Sequence, residues 1–367
     1  QKTLTAEADG SYRLPNGSYH YVISCSGYKS VSGDFTVENA AASIPGAALE
    51  VQTAWDGETY TKPQTDENGV YLIGSPDELM WFNKKATTDL SISAKLTADI
   101  CINEDVTIED TSKLYQWEQI GTNVSYAGKF YSGTFDGNNH EISGLYISEK
   151  ATSNTAKNAN YTGFIACAKA GSVIKNLTIT KSRIENNTTA SNAGQYVGAI
   201  GGNVYDVENC HVTDSVTVYS GGKYVGGVVG YVNGKITQSS SAAQVTGGSY
   251  VGGVAGHVQN DGSAVSECFN TGSVTGATYV GGLTGNLYNG GTISDCYNTG
   301  KVTATTKSSG MAGGLIGSFR SGTLKNSYSS TVPTAAKAGT VAGSLEWSGG
   351  QKTLTNVYAL NDATVTE

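Results

Sequence analysis

Two carboxylates, Glu267 and Asp295, sit in near-identical phrases, VSECFN and ISDCYN. If those phrases stack on one another, the acids lie about one strand spacing apart, roughly 4.8 Å. Paired acids on one sheet face are what a glycosidase or polysaccharide lyase would need. The same pair also fits a plain column of polar side chains running up a stack. Phe269, Tyr297, Tyr328 and Tyr358 each follow a small residue in VSECFN, ISDCYN, LKNSYS and LTNVYA. If the small residues point inward, these four rings form an outward aromatic stripe that suits sugar rings. They could equally shield the sheet or turn in. Zinc hydrolysis needs HExxH on a helix. His140-Glu141 is followed by Gly144 where the second histidine would stand, and His20, His211 and His257 are scattered. No CxxC and no GGxGxDxxx repeat occurs, so neither a zinc or redox pair nor a solenoid calcium site is indicated. No metal and no cofactor is expected. Cys268 and Cys296 occupy equivalent positions, where a disulfide and a pair of stacked thiols are both geometrically open.

These residues need a scaffold that brings equivalent positions together, and the chain supplies a repeat. A glycine-rich phrase reads YTGFIA at 161, YVGAIGG at 196, YVGGVVG at 224, YVGGVAG at 250, YVGGLTG at 279, MAGGLIG at 311 and VAGSL at 341. The spacings are 35, 28, 26, 29, 32 and 30 residues. A period of this length marks a solenoid. A second phrase follows: IKNLTI, VENCHV, ITQSSS, VSECFN, ISDCYN, LKNSYS and LTNVYA. A third strand-like run follows in turn, as in VTVYS, AQVTG, GSVTG and GKVTA. Three short strands per repeat predict a parallel β-helix, right-handed by the crossover rule.

Columns follow from the alignment. Ile174, Val207, Ile236, Val265, Ile293, Leu324 and Leu354 form an aliphatic core stack. Leu177, Cys210, Ser239, Cys268, Cys296, Ser327 and Val357 form a mostly small one. Asn176, Asn209, Gln238, Glu267, Asp295, Asn326 and Asn356 form a polar column at a corner, where Asn tolerates left-handed backbone. Tyr196, Tyr224, Tyr250 and Tyr279 read as core or corner packing. The turns look too short to build an enzyme cleft.

Upstream, residues 1–47 read as a small β-sandwich with strands at Tyr12–Leu14, Tyr19–Ser24 and Gly33–Val37, and a hairpin turn at Asn16-Gly17. Residues 48–74 read as a linker. Ser75-Pro76-Asp77-Glu78 is a capping box opening a helix that carries Leu79, Trp81 and Phe82 and ends near Lys84-Lys85. A solenoid's first coil exposes raw core, so residues 75–86 are expected to cap it, with 75–362 as the capped β-helix. Ile142, Leu145 and Ile147 should face inward.

Composition agrees with an all-β chain. Glycine takes 48 of 367 positions, nearly twice the usual share of about 7%, and charged residues are only 15% against about 25%. The net charge of −8 and the lack of a basic cluster argue against nucleic acid and anionic membrane surfaces. No apolar run is long enough to span a bilayer. With no signal peptide at Gln1, the chain reads as a fragment of a larger protein, and as a monomer.

Two resemblances add to this. Gly-x-Tyr-x-Leu-x-x-Gly-x-Tyr at Gly10–Tyr19, with Gly27-Tyr28, resembles the PEGA or carboxypeptidase-regulatory-like modules of bacterial surface proteins. The phrase YVGG-[LV]-x-G followed by [IV]-x-[NDE]-C-[YF]-N-T-G is similar to the GLUG repeat, best at 279–301, well over 196–330 and loosely over the rest of 161–362. The repeats from 311 and 341 lose the tyrosine and the CYNTG phrase. The GLUG resemblance implies an extracellular, bacterial cell-surface or adhesin-like protein, of a kind also found preceding some IgA-cleaving metalloproteases. The expected function is a non-catalytic scaffold that displays or binds a host surface protein or glycan. A carbohydrate-active enzyme and a pure structural spacer are the alternatives.

Overall fold

The structure is a computed structural model that describes residues 14–23, 31–39, 54–122, 128–150, 161–188, 195–345 and 350–359. The chain divides into two units, one up to Thr53 and one from Ala54.

In the first unit Gly17–Ile23 and Val31–Val37 pair antiparallel from Gly17↔Val37 to Ile23↔Val31. Tyr19 stacks on Phe35 at 5.5 Å, as cross-strand aromatics do. The expected turn at Asn16-Gly17 follows a strand that lies mostly outside the described residues. Gly17 opens the strand that follows, and the Asn16 and Asn39 amides clasp across the hairpin's open end at 2.6 and 2.8 Å. Leu14 is outside any strand and Tyr12 lies outside the described residues, which show one hairpin of the expected module.

The second unit begins earlier than composition suggests. Residues 54–74 are part of it: Trp55 and Ile73 are buried, and Tyr71–Ile73 pairs parallel with Ala94–Leu96. A Trp and a β-prone triplet inside a turn-rich stretch bury more apolar surface than a linker would.

From there the chain winds a parallel β-solenoid whose described residues form three sheets, of seven, sixteen and ten strands. One coil shows the path. Ala255–Gln259 lies in the first sheet, Ala264–Ser266 and Phe269–Asn270 in the second, and Val274–Gly281 in the third. Each strand pairs in register with its equivalent one repeat on, as in Val265↔Ile293 and Phe269↔Tyr297. The aliphatic column is buried from Ile174 to Leu324. Each such side chain contributes roughly 1.5–3 kcal/mol by leaving water.

The helix α1 (Pro76–Ala86) lies at the start of this unit and buries Leu79, Met80, Phe82 and Ala86. Phe82 meets Phe135 at 5.5 Å, and Phe135 and Trp117 each meet Phe164 at 4.7 Å. Large rings fill the early coils, where most later ones use valine, Phe319 apart. Asn83 ties the helix to the wall beside it through its Nδ2 to the Glu118 carbonyl (2.7 Å) and the Glu118 amide to its Oδ1 (3.0 Å). The capping box is displaced: its glutamate reaches the residue before the cap. Glu78 Oε2 accepts from the Gly74 amide at 2.7 Å, while the Ser75 side chain makes no capping bond.

Candidate functional site

The polar column turns the second sheet. Asn176, Asn209, Gln238, Glu267, Asp295, Asn326 and Asn356 all have φ between 47° and 58°. This left-handed bend lets residues on either side of it, such as Val265 and Cys268, both face the core. Their side chains form a ladder: Asn209 Nδ2 donates to Asn176 Oδ1 (2.9 Å), Gln238 Nε2 to Glu267 Oε2 (3.1 Å), Asn326 Nδ2 to Asp295 Oδ1 (2.9 Å) and Asn356 Nδ2 to Asn326 Oδ1 (3.1 Å). The two acids are rungs. The Asn326 amide, followed by Ser294, holds the Asp295 carboxyl below its ordinary range. A glycosidase's acid needs the opposite shift.

The small column is buried from Leu177 to Ser327. Cys101, Cys167, Cys210, Cys268 and Cys296 are free thiols. Cys296 Sγ accepts from the Cys268 amide at 3.4 Å, the role Ser239 and Ser327 play for Cys210 and Cys296. Burial pushes the Cys210 thiol up to about 12, so it is a packing group. His140 Nδ1 lies 2.9 Å from Asp99, which also accepts from the Glu141 amide. Among the described residues, no group of three or more His, Cys, Asp or Glu could hold a metal ion.

The stripe faces outward. Phe269 stacks on Tyr297 at 4.9 Å and 1°, and Tyr297 on Tyr328 at 5.2 Å and 8°. Tyr358 continues the register and is 68% exposed, against 46% for Tyr328. The rings cover one another's faces, so the stacked members offer mainly edges and hydroxyls to solvent. A second stack stands at the corner between the third and first sheets. Tyr161, Tyr196, Tyr224, Tyr250 and Tyr279 follow at 4.9–5.2 Å with planes within 11°. Tyr224, Tyr250 and Tyr279 have positive φ and bend the third-sheet strands that carry them toward the first sheet.

One feature of the surface is not foreseen from turn lengths. The segment 104–114 forms a long loop beside the third sheet. Asn103 pins its ends: its Nδ2 donates to the carbonyls of Tyr115 (3.0 Å) and Gly144 (2.7 Å), and its Oδ1 accepts from the Tyr115 amide (2.8 Å). Val106, Thr107 and Thr111 wall two adjoining hollows of about 540 and 390 Å³. Both share Arg183, Glu185 and Tyr219. These belong to rows on one sheet face, Tyr146–Arg183–Thr217–Gln244 and Ser148–Glu185–Tyr219–Thr246. The repeat alignment misses them because they lie where the early coils are least regular. The signal was Arg183-Ile184-Glu185, two opposite charges on the same face of a strand.

The family model of the GLUG motif matches residues 276–303. No curated protein matches the chain significantly. Among solved structures, it is similar to a crystal structure from Bacteroides ovatus described as a "putative immunoglobulin A1 protease". The two are 20% identical with a TM-score of 0.51, over 82% of this chain and 78% of that one. That likeness carries the fold. No described helix is long and apolar enough to cross a membrane.

Proposed function

We propose that this chain is a scaffold of an extracellular bacterial surface protein, which holds a host protein or glycan against the stripe of Phe269, Tyr297, Tyr328 and Tyr358. The observation that carries this reading is the stripe itself. It is an outward row of rings, repeated at coil spacing, that the fold does not need for its core. The edge-on stacking narrows the contact to phenol hydroxyls along the row and ring surface at Tyr358. The GLUG match and the likeness in fold support a secreted or surface β-helix protein.

A glycan array read in parallel with reducing-sugar release on the same glycans tests this. Binding without release is expected. Tyr297→Ala with Tyr328→Ala should reduce it about tenfold or more, given roughly 1–3 kcal/mol for losing hydrogen-bonded contacts. Turnover that disappears in Asp295→Asn would instead establish a carbohydrate-active enzyme. Binding unchanged in the double variant would move the contact off the stripe, and no binding at all would favour a spacer.

A further inference from the structure

We infer that the groove between loop 104–114 and the third sheet is a second binding site, and that its ligand is a saccharide bearing a carboxylate. It uses no residue of the stripe and goes beyond the function proposed above.

Arg183 anchors the groove. Its Nε donates to Glu185 Oε1 at 2.6 Å, and Glu185 is also held by Asn187 Nδ2 at 3.4 Å. The guanidinium lies over the Tyr146 ring at 5.9 Å. These contacts fix its plane and engage its inner edge. Among the described residues its two terminal nitrogens carry no hydrogen bond, so they present a preoriented fork on the groove. A planar pair of N–H donors matches a carboxylate bidentately. Lys150 lines the same hollow. The charged side chains facing it are therefore two cations and one carboxylate already engaged, in a chain of net charge −8. Tyr219 supplies the second half of the site. It is 40% exposed, and its column neighbours are Glu185 and Thr246 rather than other rings. Among the described residues no ring stacks on it, unlike the stripe's members, so its exposed face can take the apolar side of a pyranose. Thr111, Asn187, Thr217 and Gln244 add hydroxyl and amide partners along the floor and wall. A cation fork, an open aromatic face and neutral hydrogen-bonding groups describe an acidic sugar better than a neutral one or a free phosphate.

Calorimetric titration of the full chain with sialyllactose, trigalacturonate and lactose tests this. Sialyllactose or trigalacturonate should bind, and whichever does identifies a sialic or a uronic acid as the source. Arg183→Gln should weaken that binding about tenfold or more, as loss of a charge-assisted pair implies. Arg183→Lys should fall between, and Tyr219→Ala should weaken binding without altering its salt dependence. Tyr297→Ala should leave it unchanged, which separates this site from the stripe. Circular dichroism confirms that each variant is folded. Lactose binding as tightly as the acidic sugars, no binding of either acid, or full affinity in folded Arg183→Gln would overturn the assignment.

Discussion

His257 shows what a single side chain contributes when a sheet column closes over it. Asn286 Nδ2 lies 2.8 Å from Nδ1 and Gln259 Oε1 lies 2.6 Å from Nε2, so the proton is assigned to Nε2. Tyr224 meets the ring edge-on at 4.8 Å, and Tyr231 tilts against it at 5.1 Å. Burial first, and the Arg320 charge in addition, lower its pKa to about 4 despite the Gln259 bond. The unfolded chain, with an ordinary histidine near 6.5, therefore takes up a proton before the folded one does. Stability from this group is full above about pH 6.5, falls as pH drops toward 4, and changes no further below that. The loss is on the order of 3 kcal/mol at most. His257→Gln removes this dependence. Urea midpoints between pH 7 and 4 should fall more steeply for the natural chain than for the variant, whereas parallel profiles would show that burial does not depress the group. The same desolvation argument, with the opposite sign for an acid, makes Cys210 and Cys296 packing groups.

At the scale of the element, the columns were legible because each obeys one rule of spacing. Period alone placed the aliphatic, small and polar stacks, and the left-handed corner followed from the preference of Asn for that backbone. A second amide ladder was not legible. Asn270 and Asn298 lie fully inside, where periodicity leads one to expect apolar residues. Asn270 Nδ2 donates to Asn298 Oδ1 at 2.8 Å, and Asn298 binds both the amide and the carbonyl of Gly300, at 3.2 and 3.0 Å. Ser241 and Ser329 occupy the same register and accept from the amide two residues on. The recurring feature is a side chain that satisfies its own turn, which hydropathy does not register. Asn298→Ala leaves three buried polar groups short of a partner and should cost about 2–4 kcal/mol. Asn298→Ser should cost less, since its neighbours already work that way. Chemical denaturation of the pair checks the order, and equal losses would contradict it. The groove escaped for another reason. Loop 104–114 has no counterpart in any repeat, and Asn103, which closes it, looks like any other loop asparagine.

Across the whole second unit, stability runs from coil to coil, because each contacts mainly its neighbours. The first and last described coils are unlike. At the start, Phe82 is fully buried against Phe135, and the helix seals the aromatic coils. In the last described coil Leu354 is 49% exposed, where its column mates are buried. Phe82→Ala should therefore cost about 3–5 kcal/mol, as aromatic truncation in a core does. Leu354→Ala should stay within roughly 0.5–1 kcal/mol. Thermal melts of both variants read the contrast, and similar shifts would mean that the ends are equivalent. The five corner tyrosines carry a further consequence. Their rings lie parallel and about 5 Å apart over successive coils, so their electronic transitions are coupled rather than independent. The near-ultraviolet circular dichroism of this protein should carry an exciton component that fades as coils separate, giving the solenoid a native optical gauge of its own spacing.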